Sequence, residues 1–486
     1  MNQHPKIEKQ NVEDIISLTP MQSGMLFLHL FDPDGYQYFE QQRYKILGNV
    51  RIGLVKKVWA HIAQMNEMLR TVFRWKGLSH PVQIILKKHD VPVVYHDLSD
   101  RNEAEIEQVC NHLEHEQWTQ RVDITTSPFR ITLLKIRNDE YDMILSSHHI
   151  ILDGWSNAIL LKEFLKFYSA LDSNIEPGFE IKTKYKKYIQ WLTQQNTGKS
   201  LQFWKNYLAD YRFKTCFIES SSNPKPIDIH YFEYKVENES VAQIRDYLKK
   251  HKITLAALLY SVWAIFLLKY FNIDEIVFGI TVSCRPPAIR NVDQMVGLFI
   301  NTIPLRVSIK TDSSIFSILT KINNDLISFE PHQYVSLSEI TSELDLKKKG
   351  VNSQLFDSTV VIQNYPISRE LHDMKNESLK IKLHNSLYAP NLPITLGIKA
   401  FDENMQLDFS YNANFFDEKF ISDICSEYLN MMIKILDQNP ITSGDNFTLQ
   451  DIEFSKMKAE PALSSTIQNN INNLENISEV DFHEIF

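Results

Sequence analysis

The sequence predicts a mixed fold of the α/β or α+β class, and three observations support this prediction. Helical and strand patterns alternate along most of the 486 residues. Hydrophobic residues account for 43% and charged residues for 23% of the chain, an ordinary globular composition that can fill a large core. A loop-forming segment about two fifths of the way along separates two stretches, each long enough to fold.

The spacing of apolar residues predicts three helices. Over residues 52–69, apolar side chains recur every three or four positions and form one helical face. A second helix is predicted to begin at Ser156, a residue type that commonly caps helices, and to extend through Phe167. The uncharged apolar run 255–268 predicts a helix that is buried on nearly all sides and is too short to cross a membrane.

Clusters of β-branched and apolar residues predict strands, and loop residues predict the division into lobes. The predicted strands are 143–145, 276–282 and 359–362. The loop signal at 172–179 contains Asp, Ser, Asn, Pro and Gly, so we predict an N-terminal lobe over 1–178 and a C-terminal lobe over 179–450. Residues 451–486 are rich in Asn, Ser and acidic residues, which predicts a flexible tail outside the core, acting as a docking peptide or a linker.

Composition argues against several classes of function. The net charge of -9 offers no basic face for phosphates, so no nucleic-acid partner is expected. The four cysteines are far apart and form no C-x-x-C pair, which argues against a disulfide framework or a thiolate zinc site. The first residues lack the apolar segment of a signal peptide. We therefore expect a cytoplasmic protein without a membrane partner.

The segment 146–156, SSHHIILDGWS, concentrates residues that can carry chemistry. His148 and His149 follow a predicted strand, and consecutive side chains of a strand point in opposite directions, so only one can face a given cavity. Asp153 lies close enough to brace the following loop, and Gly154 permits a close backbone approach. A neutral imidazole held in this way can accept a proton from an amine or hydrogen-bond to a developing charge.

The two histidines also have two simpler interpretations, a packing role and a metal site. A single histidine in apolar sequence is more often a satisfied core residue than a catalytic group. A metal site would use the same residue types, but no second cluster of histidines or carboxylates completes one in the sequence. We therefore predict no metal.

The whole pattern HHIILDG resembles the HHxxxDG signature of condensation domains in nonribosomal peptide synthetases. Further segments resemble other core motifs of that family and occur in the family's order. These segments are 18–27, 66–73, 185–192, 296–306, 330–340 and 355–366. Some positions depart from the family's pattern: Asn66 lies in the second motif, Lys187 stands where aspartate is common, and Cys284 replaces a usual glycine.

The resemblance implies a fold, an activity and partners. The fold would be two chloramphenicol-acetyltransferase-like lobes in a V-shaped pseudo-dimer with an interlobe tunnel. The activity would be amide-bond formation between a carrier-bound thioester and an amine, either a carrier-bound amino acid or a free amine. The chain would be a monomer that binds no cofactor itself, and partner peptidyl carrier proteins would insert phosphopantetheine arms. Other synthetase subunits could dock on the C-terminal tail.

The resemblance also implies roles for individual residues. His149 would accept a proton from the amine or orient it, and Asp153 would pair with Arg285 to organise the site. Gly154 would present its backbone near the thioester oxygen, and His148 would be a buried packing residue. The residues expected to line the tunnel are Trp155, Ser156 and Asn301.

The sequence also leaves two other functions open. One is an acyltransferase of the same superfamily that uses acyl-coenzyme A. The other is a catalytically silent module that recruits carrier proteins.

Overall fold

The computed structural model describes most of the chain. The described residues are 6–32, 35–211, 217, 228–309, 313–344, 355–363, 379–389, 392–401, 404–437 and 447–454. The α-helices in these ranges are α1 (Pro20–Phe31), α2 (Ile52–Met65), α3 (Glu103–Gln120), α4 (Gly154–Asp172), α5 (Tyr185–Thr193), α6 (Thr197–Tyr207), α7 (Asn238–His251), α8 (Leu255–Tyr270), α9 (Ile315–Phe329), α10 (Leu337–Glu343) and α11 (Glu418–Asp437).

The strands in the described ranges form three sheets. They are β1 (Val12–Ser17), β2 (Phe39–Leu47), β3 (Thr71–Arg74), β4 (Val82–Leu86), β5 (Val93–Asp97), β6 (Phe129–Arg137), β7 (Glu140–His148), β8 (Ile229–Val236), β9 (Glu275–Ser283), β10 (Ile300–Ser308), β11 (Ser358–Gln363), β12 (Lys380–Tyr388), β13 (Ile394–Phe401) and β14 (Asn404–Asn412). The sheet orders are β1-β4-β3, β12-β2-β7-β6-β5 and β10-β9-β11-β13-β14-β8. The fold is therefore mixed α/β, as the sequence predicts.

Strand β12 connects the two halves of the chain. It comes after the strands β8 to β11 of the six-stranded sheet, yet it pairs antiparallel with β2 at the edge of the five-stranded sheet. In this register Tyr388 lies opposite Glu40, while Ser147 of β7 lies opposite Glu40 on the other side. A segment from the second half of the sequence therefore borders the strand that runs beside β7. The boundary between lobes at residue 178 stays a prediction.

Two large apolar clusters stabilise the structure. One contains α2 and α4 packed on the first sheets, and the rings of Trp59 and Phe164 stack there with centroids 5.5 Å apart. The other surrounds α8, whose side chains are buried from Ala257 to Leu268. This burial confirms the prediction of a helix buried on nearly all sides. A helix with apolar side chains all around it is stable only with protein contacts on every face.

The predicted strands are confirmed within β7, β9 and β11, and the helix over 52–69 is observed as α2 followed by a 3₁₀ turn. The predicted start of the next helix is wrong. Helix α4 begins at Gly154, because Asp153 caps it by accepting a hydrogen bond from the backbone N–H of Ser156. Ser156 is thus the third residue of the helix and not its cap.

The predicted tail starts at residue 451, but the first residues of that segment belong to the core. Ile452 is fully buried in the cluster around α8, and Phe454 packs against that cluster. These two apolar residues interrupt the polar composition and explain the difference. The remainder of the predicted tail, 455–486, lies outside the described residues, and so does Cys216.

In the described ranges no single helix is both long enough and apolar enough to cross a membrane. Helices α7 and α8 pass that test only as a pair, and they are bent by 107° at the break between them. Cys110, Cys284 and Cys425 are buried free thiols.

Candidate active site

The two histidines lie where β7 ends and a short 3₁₀ turn, His149–Ile151, leads to α4. His148 is buried, and its Nδ1 accepts a hydrogen bond of 3.1 Å from the backbone N–H of Ile150. Burial lowers the pKa of His148 well below its ordinary value, so the ring is neutral with its proton on Nε2. Its edge contacts the His29 ring, with centroids 5.2 Å apart. His148 therefore lies in a packing position.

His149 is only partly buried, and its two ring nitrogens have different neighbours. Its backbone N–H donates to the Tyr38 carbonyl at 2.8 Å, and its Nδ1 lies 2.6 Å from the Leu152 carbonyl oxygen. A carbonyl can only accept, so Nδ1 carries the proton in the neutral ring and Nε2 carries the lone pair. The side chain is 15% exposed. The fold therefore presents Nε2 as a proton acceptor.

A carboxylate that the sequence analysis missed lies beside this nitrogen. Oε1 of Glu40, on β2, is 3.3 Å from Nε2 of His149. Burial raises the pKa of Glu40, the charge of Asp153 raises it further, and His149 opposes the shift. Because the pairing of β2 with β7 creates this contact, only the sheet register could have predicted it.

Asp153 lies beneath the turn and is fully buried. Its Oδ1 accepts hydrogen bonds from the N–H and the hydroxyl of Ser156, both at 2.8 Å, and from Nη2 of Arg285 at 3.1 Å. Its Oδ2 accepts from the N–H of Phe299 at 3.0 Å. Both carboxylate oxygens are thus occupied by donors of the protein itself. A substrate could bind to Asp153 only by breaking one of the hydrogen bonds that hold the turn.

Arg285 joins this turn to the other half of the chain. Besides the contact with Asp153, its Nη1 donates to the carbonyl oxygens of Val292 and Met295 at 2.7 and 2.8 Å. Its guanidinium lies 4.0 Å from the centroid of the Phe299 ring. The structure therefore brings together Asp153 and Arg285, which are 132 positions apart in sequence.

The remaining predicted site residues lie on both sides of this junction. Gly154 is the first residue of α4, and the indole N–H of Trp155 donates to the Asp293 carbonyl at 3.0 Å. Asn301 borders a small cleft with Thr19 and Tyr188, and its amide donates to the Gln333 and Val335 carbonyls.

Ser156 does not line a passage, contrary to the prediction. It is fully buried, and its one hydroxyl hydrogen is shared between Oδ1 of Asp153 and the carbonyl oxygen of Gly297, each 2.8 Å from Oγ, while Oγ accepts from the N–H of Gly297 at 3.0 Å. Nη2 of Arg285 also donates to this hydroxyl at 3.0 Å. Such a central position in a hydrogen-bond network leaves the side chain no free face.

Gly297 must remain glycine for this junction to close. A β-carbon there would lie 2.6 Å from Cδ2 of Tyr185, whose ring is buried. We expect Gly297→Ala to lower the free energy of unfolding by about 1–3 kcal/mol, as overpacking of a core does. Urea denaturation followed by fluorescence measures this change. Gly24→Ala in α1 is the control: a β-carbon there meets no atom within 4 Å, so stability should be unchanged or increased.

No group of three or more His, Cys, Asp or Glu side chains in the described ranges is arranged to hold a metal ion. The chemistry available at the turn is that of the His149 imidazole and the Glu40 carboxyl group. A neutral Nε2 can take a proton from a bound N–H or O–H group and return it to a leaving group.

Comparisons with known proteins agree with this geometry. A family model described as "Condensation domain" matches residues 12–457. Surfactin synthase subunit 3 of Bacillus subtilis (strain 168) is 31% identical over 460 residues, which are 92% of this chain and 35% of that protein. The chain spans about a third or less of the first curated relatives it matches.

Solved structures show the same fold at low sequence identity. A holo four-domain nonribosomal peptide synthetase bound to AMP and glycine matches with a TM-score of 0.75 and 16% identity, over 91% of this chain and 34% of that one. The first condensation domain of the calcium-dependent antibiotic synthetase, in complex with a substrate analogue, matches with a TM-score of 0.74 and 14% identity, over 92% of this chain and all of that one.

Proposed function

Because the chain belongs to the condensation domain family, we propose that it forms an amide bond between a carrier-bound aminoacyl or peptidyl thioester and the amine of an acceptor. The observation that carries this proposal is the position of His149. Its Nδ1 is engaged by the Leu152 carbonyl, so the lone pair on Nε2 is directed away from the turn. This is the arrangement that a proton acceptor for an attacking amine requires.

The reaction needs no covalent intermediate on the protein. The amine nitrogen attacks the thioester carbon, the carbon–sulfur bond breaks, and the proton that the nitrogen loses ends on the released thiol. Nε2 of His149 carries that proton from nitrogen to sulfur. Holding both reactants in contact supplies on the order of 7 kcal/mol or more of the barrier. An α-amine, with a pKa of about 8, must also lose its extra proton before it attacks.

Asp153 and Arg285 act on this reaction indirectly. The buried carboxylate caps α4, holds the 299 backbone and binds the guanidinium, so it joins the turn that carries His149 to the 285–299 segment. We assign both residues to the organisation of the site. The substrates' phosphopantetheine arms and the carrier proteins that bear them are partners in this proposal.

A donor-choice assay tests the proposal. Purified protein receives one acyl group either on a carrier protein or on coenzyme A, together with a free amine acceptor, and the products are separated by mass spectrometry. We expect amide from the carrier-bound donor at a rate at least ten times that from the coenzyme A donor. Equal rates would favour an acyl-coenzyme A acyltransferase. No amide from either donor, with retained binding of the carrier protein, would favour a silent recruitment module.

A further inference from the structure

Among the described residues, Glu40 is the acidic side chain that pairs with the proton-accepting nitrogen of His149, and its carboxylate is otherwise little engaged. Oε1 lies 3.3 Å from Nε2 of His149, and the two side chains are 17% and 15% exposed. In the part of the chain that the structure describes, His149 is the only side chain that forms a hydrogen bond or ion pair with this carboxylate. Both side chains therefore keep a small exposed surface.

The two atoms are both acceptors when the ring is neutral and the Glu40 carboxyl group is ionised. Nδ1 holds the imidazole proton, so Nε2 presents a lone pair, and an ionised carboxylate also has only lone pairs. Two acceptors at this separation are stabilised by a third group that donates to both. A protonated amine is such a group, because it carries three N–H donors and a positive charge.

We propose that Glu40 and Nε2 of His149 together bind the ammonium group of the acceptor, so that Glu40 is a second residue in contact with the reacting nitrogen. This inference rests on the proposed function and specifies its acceptor as a cationic amine. The ammonium nitrogen donates one hydrogen bond to Oε1 of Glu40 and another to Nε2. The ammonium gives its extra proton to the Glu40 carboxylate, which releases it to solvent. The neutral amine that remains then attacks, and Nε2 takes the second proton that the nitrogen loses and returns it to the released sulfur.

The surroundings of Glu40 favour this role. Besides His149, the charged group that acts on Glu40 is the carboxylate of Asp153, while burial raises the pKa of Tyr44 and of Tyr388 so that both phenols stay neutral. Burial and the Asp153 charge both disfavour a second uncompensated negative charge and raise the pKa of Glu40. A bound cation compensates that charge, so a cationic acceptor is favoured over a neutral one of the same shape.

The Glu40 carboxylate is not needed to hold its strand in the sheet. The backbone of Glu40 belongs to β2, where Ser147 and Tyr388 lie opposite it in the two neighbouring strands. The strand is therefore held without the carboxylate, and Glu40→Gln keeps its size and shape. Glu140→Gln is a matched control. It lies at the other end of β7, about 23 Å from Ser147 at the usual rise per residue. It pairs with Lys45 at 2.7 Å, and its side chain is 29% exposed against 17% for Glu40.

The test compares two acceptors that differ only in the nucleophile: glycyl-pantetheine, which carries an ammonium, and glycolyl-pantetheine, which carries a hydroxyl. Equilibrium titration with the full chain measures the affinity of each. We expect Glu40→Gln to weaken glycyl-pantetheine binding by at least about tenfold, the effect of losing one charge-assisted hydrogen bond. Binding of glycolyl-pantetheine should change less than twofold, and Glu140→Gln should change neither.

Equal weakening of both acceptors by Glu40→Gln, or no weakening of the glycyl compound, would overturn the role of Glu40. Because titration needs no turnover, it tests Glu40 even if the donor-choice assay yields no amide, so the two proposals fail separately. Where turnover is observed, the KM for the glycyl acceptor should rise in Glu40→Gln more than kcat falls, whereas a distorted His149 would lower kcat for both acceptors.

Discussion

Asp153→Ala is expected to lower the free energy of unfolding by about 3–5 kcal/mol, because it leaves the charge of Arg285 buried without its partner. The Arg285 side chain is 5% exposed and that of Asp153 is 1% exposed. The same substitution removes the cap of α4 and the acceptor for the Phe299 N–H. We therefore expect loss of stability and of activity together.

Chemical denaturation measures this effect, and α4 supplies its own control. Asp172, at the other end of the helix, pairs with Arg51 at the surface, where the side chains are 33% and 51% exposed. Asp172→Ala should cost no more than about 1 kcal/mol, as exposed pairs do. In the double variant Asp153→Ala, Arg285→Ala, the second substitution should cost less than it does alone. A loss below about 1 kcal/mol for Asp153→Ala would contradict a structural role for this buried pair.

His149→Ala is expected to slow amide formation by about 10²–10⁴-fold, the usual contribution of a positioned acid–base group. The imidazole contacts the Leu152 carbonyl through Nδ1 and the Glu40 carboxylate through Nε2, and the ring is partly exposed. Stability should therefore change little in comparison with Asp153→Ala. Initial rates with saturating donor and acceptor measure the effect.

A histidine outside the site provides the control for that experiment. His251, at the end of α7, lies among the rings of Tyr247 and Phe316 and is partly buried, like His149. His251→Ala should keep the wild-type rate. Similar losses in both variants would indicate general destabilisation, and an unchanged rate in His149→Ala would remove this residue from the mechanism.

The local pattern of the sequence was sufficient to predict the helices and strands that contribute most to the core. Apolar spacing predicts α2 and the buried helix α8, and β-branched clusters predict parts of β7, β9 and β11, because burial of these side chains decides their structure. The start of α4 was predicted too late in the sequence. Asp153 and Ser156 are both residue types that cap helices, and only the observed hydrogen bond distinguishes them.

The site itself depended on information that periodicity does not carry. The pairing of Asp153 with Arg285 was expected from the family resemblance, since no spacing rule connects residues so far apart. Glu40 was missed because its approach to His149 follows from the register of β2 against β7. The burial of Ser156 was missed because its hydrogen bonds reach Gly297, in a distant segment.

The central claim is that an amine and a carrier-bound thioester react beside Nε2 of His149. The most direct measurement is mass spectrometry of the product formed from a carrier-bound acyl donor and a ¹⁵N-labelled amine, with wild type and His149→Ala in parallel. The claim predicts a wild-type product that contains both the acyl group and the labelled nitrogen, and little of it in the variant. A wild-type reaction that yields only the free acid, or equal labelled amide from both proteins, would contradict it.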